Sequence, residues 1–190
     1  MCRCPWGGGP LLTEYHDTEW GRFTLDDRAH FEHLCLEGFQ AGLSWETVLK
    51  KRENLRRLFA GFDPDAVAAF DEPRIAEILI DLGGIRNRAK VRSAVNNAGR
   101  FLEVGREFGS FSGFLLNLVG GGPIINNYRT LSEIPAFTEE AVGISKALKK
   151  RGFTFVGPTI VYAHLQATGL VNDHLVGCFV REEIGDSGTP

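Results

Sequence analysis

Hydrophobic positions recur at spacings of three and four along almost the whole chain. They form stripes at Phe31, Leu34 and Cys35; at Trp45, Val48 and Leu49 running on to Leu55, Leu58 and Phe59; and at Ile75, Ile78, Leu79 and Leu82. Further stripes follow at Val91, Val95, Ala98 and Leu102, at Ala141, Ile144 and Leu148, and at Ile160, Val161, His164 and Leu165. Strand-like alternation is nearly absent, so the pattern predicts an all-α protein. Start signals agree: Asp26 precedes the first stripe, Asp63 stands before Pro64, and Thr138 opens a later helix. Gly83 and Gly84 punctuate the middle. Residues 120–135, "GGGPIINNYRTLSEIP", are the longest stretch without a helical pattern and predict a loop between two helical groups.

The chain has 190 residues, 43% of them hydrophobic, which is enough to bury a substantial core in one domain spanning 1–190. A formal charge of -3 announces no polyanion partner, so a nucleic-acid footprint would have to be a local patch. The four cysteines, Cys2, Cys4, Cys35 and Cys178, come without a charged leader and apolar export segment; they predict a reducing, cytoplasmic setting and not a disulfide framework. The apolar runs fall far short of a membrane span. No organic cofactor motif stands out, and a soluble monomer is expected.

His174 and Cys178, at i and i+4, face the same side of a helix, as two ligands of a tetrahedral zinc site would. Cys4 and His16, near the other end of the chain, can supply a second thiolate and imidazole. Four protein ligands would leave no open position, so such an ion would be structural and would clamp the two chain ends together. Spacing alone favours the plainer reading, in which Cys178 is a small buried hydrophobe. Cys2 competes with Cys4, and His30 with His33 forms a rival pair. Cys35, on an apolar stripe, reads as a core thiol.

Residues 145–169, "SKALKKRGFTFVGPTIVYAHLQATG", read as helix, turn and helix, within a hairpin of approximately 138–169. Gly157 and Pro158 open the second helix, where free backbone N–H groups at the positive end of the dipole could take a phosphate. Lys146, Lys149, Lys150 and Arg151 stand just before the turn. This is the arrangement of a helix-hairpin-helix that grips a DNA backbone without reading its sequence; two helices joined by a Gly-bounded turn are also common in any helical protein. Two more basic runs, Arg86, Arg88, Lys90 and Arg92, and Lys50, Lys51, Arg52, Arg56 and Arg57, either extend the patch or are solvated.

Glu37, in "CLEGFQAGLSWETVLKKREN", lies at the border of the Phe31, Leu34, Cys35 and Gly38 face and so points to the edge of the core. Tyr15, Trp20 and Trp45 could bring flat rings near it, and Trp6 lies close to Cys4. A carboxylate lined by aromatic rings suits a flat, cationic or amide-bearing ring. A salt-bridged surface glutamate among ordinary core aromatics is the alternative from composition alone.

The ordered blocks "RCPW", "EYHDTEWG", "CLEGFQAGLSWETVLKKREN", "GIRNRAKV", "LSEIP" and "SKALKKRGFTFVGPTIVYAHLQATGLVNDHLVGC" together resemble the 3-methyladenine DNA glycosylase I family across almost the whole chain. The resemblance implies a helix-hairpin-helix DNA glycosylase fold in two helical lobes. It implies one structural zinc ion on Cys4, His16, His174 and Cys178, and a base pocket of Glu37, Tyr15, Trp20 and Trp45, with Trp6 a further member. It also implies that Leu43 probes the gap left by a flipped nucleotide, with Lys149, Lys150, Arg151, Gly152, Thr154 and Gly157 on the DNA side. Three features depart from the family pattern: His164-Leu165 in place of an expected Phe-Met, Gly84 in place of an Ile, and the loose Gly7-Gly8-Gly9 run.

The expected activity is hydrolysis of the N-glycosidic bond of 3-methyladenine in alkylated double-stranded DNA. Such a base is cationic, leaves as a neutral species and needs no strong general acid, which casts Glu37 as the recognising and catalytic carboxylate. Related glycosylases place a catalytic Asp near the position of Asp173; beside the proposed ligand His174, Asp173 is assigned a supporting role, and the water-activating group is left open. A zinc hydrolase and a lesion-binding module without catalysis are the rival classes.

Overall fold

The computed structural model describes residues 2–185. Among them ten α-helices and one two-stranded ladder are formed. The helices are α1 (Pro10–Thr18), α2 (Asp27–Gln40), α3 (Trp45–Leu58), α4 (Pro64–Ala68), α5 (Glu72–Ile80) and α6 (Arg88–Phe108). The series continues with α7 (Phe111–Leu118), α8 (Glu139–Lys150), α9 (Pro158–Ala167) and α10 (Phe179–Ile184). The expected stripes fall on helices except at two ends, where Phe59 lies just past α3 and Leu82 lies beyond α5 and is exposed, and the start signals act as read. Asp26, Asp63 and Thr138 each accept a hydrogen bond from a free N–H of the first turn of α2, α4 and α8. Ser44, Asp71, Asn87 and Ser110 do the same for α3, α5, α6 and α7; a cap of this kind stabilises its helix by about 1 kcal/mol.

Helix α2 is the axis of the fold. Every residue from His30 to Phe39 is buried, so the helix is enclosed on all sides, by α3, α6, α7 and α9. Its apolar residues Phe31, Leu34, Leu36 and Phe39 join the main core with Phe59, Phe62, Phe101, Phe111, Ile144, Leu148 and Tyr162. Asp27, in its first turn, accepts from the N–H groups of Phe111 (2.9 Å) and Ser112 (2.8 Å), which fastens the start of α2 to the start of α7.

Enclosure obliges the polar residues of α2 to find partners. His30 meets His164 of α9 (3.2 Å) and the Thr24 carbonyl (3.0 Å). Burial holds both imidazoles below their ordinary pKa, so they pack as neutral rings. His33 reaches Glu19 (2.6 Å), which also takes a two-pronged bond from Arg52, and Arg52 continues to Glu32.

A smaller second cluster joins the chain ends: Cys4, Tyr15, Trp20, Leu49, Leu175, Cys178 and Val180. The expected loop 120–135 is largely irregular but contains β1 (Ile124–Ile125), which pairs in parallel with β2 (Val171–Asn172), with Ile124 opposite Val171. That ladder was not foreseen, because two residues are too few to show alternation. The segment carrying His174 and Cys178 departs from expectation. It is not a helix: β2 ends at Asn172, Gly177 turns the chain at φ 88°, and Cys178 is the N-cap of α10. The glycine breaks the helical path that the four-residue spacing suggested.

The chain reverses between α9 and β2 at Gly169 (φ 69°), where an added Cβ would stand 2.3 Å from the Phe23 backbone nitrogen. Backbone cannot step aside as a side chain can. Gly169→Ala is therefore expected to cost about 3 kcal/mol or more and to lower the Tm by roughly 10 °C, read from a thermal melt.

Candidate functional site

One open cavity of about 160 Å³ lies between α1, α2, α3 and α9, lined by Trp6, Tyr15, Trp20, Glu37, Gln40, Trp45, Ala163 and Gln166. All five residues expected to form the pocket are present. Tyr15 and Trp45 stand 5.3 Å apart between ring centroids, and Trp6 meets Trp20 edge-on at 4.9 Å. The space is smaller than the roughly 300–1,000 Å³ of sites for drug-sized ligands and suits one flat ring system. Gln40, Ala163 and Gln166 were not singled out in advance. Their signal was positional: Gln40 lies one helical turn beyond Glu37, and Ala163 and Gln166 share a face of α9.

Glu37 is 4% exposed, and burial pushes its carboxyl up to about 8, with no hydrogen bond or positive charge to offset it. Burial thus favours its protonated form near pH 7, and a positive charge placed beside it would favour the ionised form. The Tyr15 phenol is likewise pushed well above its usual range, first by burial and then by the nearby Glu37 and Glu19 carboxylates. Trp45 holds its indole N–H buried and without a partner among the described residues. The cavity therefore offers aromatic faces and a carboxyl that titrates in the neutral range.

Behind the aromatic wall, Cys4, His16, His174 and Cys178 converge, all buried, with donor atoms within 4.8 Å of one another. Cys178 Sγ stands 3.5 Å from both His16 Nε2 and His174 Nδ1, and Cys4 Sγ stands 3.7 Å from His174 Nδ1. Zinc–sulfur and zinc–nitrogen bonds at a tetrahedral angle would separate S and N by about 3.6 Å, so the donor set fits such an ion. The outer nitrogens fit too: His16 Nδ1 meets Asp17 at 2.8 Å and His174 Nε2 meets the Trp20 carbonyl at 2.8 Å. Each bond places the ring proton outside the cluster and leaves a lone pair facing in. The rival ligands drop out, since Cys2 is exposed and His30 and His33 are engaged elsewhere. Cys35 is a buried core thiol, as read from its stripe, and burial raises its pKa well above the ordinary value.

Helices α8 and α9 form a hairpin through residues 151–157. Lys149, Lys150, Gly152 and Thr154 are exposed at its turn, and Gly157 caps α9 without a side-chain bond. Leu43 is 41% exposed in the loop between α2 and α3, near the mouth of the cavity that Gln40 and Trp45 line. Other basic residues are already spoken for: Arg151 pairs with Glu107 (2.5 Å), Arg88 and Arg92 with Glu72, Arg57 with Asp81, and Lys90 is buried. Asp173 is fully buried and accepts from Asn126 (2.7 Å), Gln166 (2.7 Å) and Tyr162. Three donors hold it as a supporting group for Gln166 at the cavity wall.

A family model described as methyladenine glycosylase matches residues 6–182. The DNA-3-methyladenine glycosylase 1 of Escherichia coli (strain K12) is 49% identical over 179 residues, covering 94% of this chain and 96% of that protein. A crystal structure of 3-methyladenine DNA glycosylase I superposes with a TM-score of 0.90 at 48% identity, covering 94% of this chain and 98% of that one. A variant 3-methyladenine DNA glycosylase I in complex with 3-methyladenine superposes with a TM-score of 0.91 at 36% identity, covering 95% and 97%.

The raised pKa of Glu37 has a thermodynamic signature. Between the ordinary 4.5 and about 8, the native carboxyl keeps a proton that the unfolded chain has lost. The stability associated with this group is therefore full below 4.5 and is lost as pH rises through 8. Glu37→Gln removes that loss. Its Tm should match the wild type near pH 5 and exceed it by several degrees at pH 8.5; melting curves with a constant difference across that range would show the carboxyl to be solvated.

Proposed function

The chain belongs to the methyladenine glycosylase family, and from that premise we propose that it is a DNA-3-methyladenine glycosylase. It hydrolyses the N-glycosidic bond of 3-methyladenine in alkylated DNA, releases the free base and leaves an abasic site. The observation that carries this reading is the single-ring-system cavity, in which Tyr15, Trp20 and Trp45 surround a carboxyl with no partner of its own.

An adenine methylated at N3 is cationic within the nucleotide. Entering the cavity, it brings the positive charge that Glu37 lacks, so the carboxyl ionises and accepts hydrogen bonds while the rings stack on or enclose the base. Neutral adenine brings no such charge and remains bound to its sugar as a poor leaving group. As the bond breaks, the base departs neutral and charge passes to the sugar; the Glu37 carboxylate then stabilises an oxocarbenium-like centre instead of the base. Glu37 is the catalytic residue in this scheme, and Trp6 completes the aromatic wall beside Trp20.

The DNA reaches the cavity extruded from the duplex. Leu43 fills the space the nucleotide leaves, and the α8–α9 turn acts as a helix-hairpin-helix over 138–169. There Gly152, Thr154 and the open N-terminus of α9 at Gly157 meet phosphate, with Lys149 and Lys150 adding charge. Arg151 contributes once released from Glu107. Cys4, His16, His174 and Cys178 would hold one zinc ion, which would cross-link the chain ends and supply no chemistry. With four protein donors, no position is left for water, which weighs against a zinc hydrolase. The fold reads as a single domain of two helical lobes around the cavity, working as a cytoplasmic monomer without an organic cofactor. No helix among the described residues is long and apolar enough to cross a membrane.

Two outcomes are expected. Incubated with methylated duplex DNA, the protein should release 3-methyladenine detectable by chromatography; lesion-dependent binding without free base would make it a damage sensor. Cys178→Ser should lose zinc, measured by atomic absorption, and lose thermal stability with it, while a fully metallated variant of unchanged Tm would remove Cys178 from the ligand set.

A further inference from the structure

Lys90 belongs to a basic run read as either an extension of the basic patch or a solvated face, yet it is only 7% exposed. Its ammonium donates to the backbone carbonyls of Phe39 (2.8 Å) and Ala41 (2.6 Å) at the end of α2. The last carbonyls of a helix lack intrahelical partners and carry the negative end of its dipole, so a buried cation there is both a cap and a counter-charge. Directly beyond lies the tight loop that presents Leu43, with Gly42 at φ 79° and the Leu43 N–H bonded to the Gln40 carbonyl at 2.6 Å.

The same face of α6 grips the hairpin turn. Ser93 and Asn97 follow Lys90 at helical spacing, and both are buried. Asn97 donates to the Thr154 carbonyl (2.8 Å) and accepts from the Thr154 N–H (2.9 Å). Ser93 accepts from the Thr154 hydroxyl at 2.8 Å, and Asn96 donates to the Gly152 carbonyl at 2.9 Å. These bonds hold the turn where Phe155 adopts the left-handed φ of 54°, a strained geometry for a side chain of its size. Phe155 lies against Gly38, whose missing Cβ would stand 3.7 Å from it.

We propose that the buried stripe Lys90, Ser93 and Asn97 of α6 sets the register between the Leu43 loop and the hairpin turn, making Lys90 and Asn97 positioning residues for engagement of the DNA duplex. The stripe does not line the base cavity. Neither residue touches nucleic acid; each fixes the backbone of an element that does. The inference rests on the reading of Leu43 and the hairpin as the DNA-facing elements.

The test uses the full chain and two probes: a duplex containing a tetrahydrofuran abasic-site analogue, and free 3-methyladenine followed by tryptophan fluorescence. Lys90→Met should weaken duplex binding about ten-fold and leave affinity for the free base within about two-fold. Lys90→Arg should restore part of the loss. Asn97→Leu tests the same coupling from the hairpin side and serves if Lys90→Met does not fold. The decisive readout is the dependence of duplex affinity on salt. Its slope should stay at the wild-type value, whereas loss of a direct phosphate contact would reduce it by about 0.9. Unchanged duplex affinity in the variants, a reduced slope, or a parallel loss of base binding would overturn the inference. Wild-type protein that releases no 3-methyladenine would sink the glycosylase reading instead, so the two failures are distinct.

Discussion

An unpaired carboxyl inside a fully enclosed helix is the constraint around which the rest of the molecule is arranged. Besides the Cys35 thiol, helix α2 buries two histidines and two glutamates, and three of these four have a partner: His30 in His164, Glu32 in Arg52 and Arg56, His33 in Glu19. Of these four, Glu37 alone has neither donor nor counter-charge among the described residues, and it alone lines the aromatic cavity. Burying a bare carboxylate costs several kcal/mol, so the protein keeps the group protonated until a ligand supplies what the fold withholds. Selectivity for a cation follows from that deficit. An arginine beside Glu37 would relieve the deficit and leave the cavity with no reason to prefer a charged base.

The wall facing Glu37 depends on the closure of the chain ends. Tyr15 and His16 are neighbours on α1, one directed to the cavity and the other to the Cys/His cluster. Trp20 has its ring 4.6 Å from that of His174 and its carbonyl bonded to the same imidazole, while its other edge meets Trp6 over the cavity. The residues that would hold a metal and the residues that would hold a base are therefore the same short segments seen from two sides. An ion held by Cys4, His16, His174 and Cys178 would fasten residues near both ends of the chain and stiffen this pocket wall without entering the chemistry.

How much of this was legible in the sequence varies with the kind of signal. Helix stripes and caps are local and periodic, and they fell where expected, from Asp26 to Thr138. Residue types and spacing alone favour a plain buried Cys178, and only the family resemblance points to Cys4, His16, His174 and Cys178 together; the four-residue spacing of His174 and Cys178 mimics a helix face, while Gly177 turns the chain and the two side chains converge from a loop and a helix cap. The border position of Glu37 on its apolar stripe was legible as a local anomaly, but its place in a pocket came from the family resemblance. Its lack of any partner was not legible, since a missing counter-charge belongs to the three-dimensional surroundings. Lys90 shows the same limit from the other side. Between Arg88 and Arg92 it looks like one more solvated cation, and only the packing of α6 against α2 turns it inward.

The fate of the basic runs bears on how such a protein would hold DNA. Arg52, Arg56 and Arg57 are taken up by Glu19, Glu32, Glu53 and Asp81, and Arg88, Arg92 and Arg151 by Glu72 and Glu107. With a net charge of -3, the surface offers few long-range attractions for a polyanion. On the proposed reading, affinity would come instead from local contacts: the open N-terminus of α9, a lysine pair at its turn, and an apolar residue able to replace a displaced nucleotide. Contacts of that kind reward exact placement, so on the proposed reading the buried polar stripe on α6 would serve this fold better than another row of surface lysines. A protein that binds weakly to intact duplex and tightly only where a base can leave the stack can sample much DNA between rare lesions, with the cationic base and Glu37 completing the interaction that the backbone contacts begin.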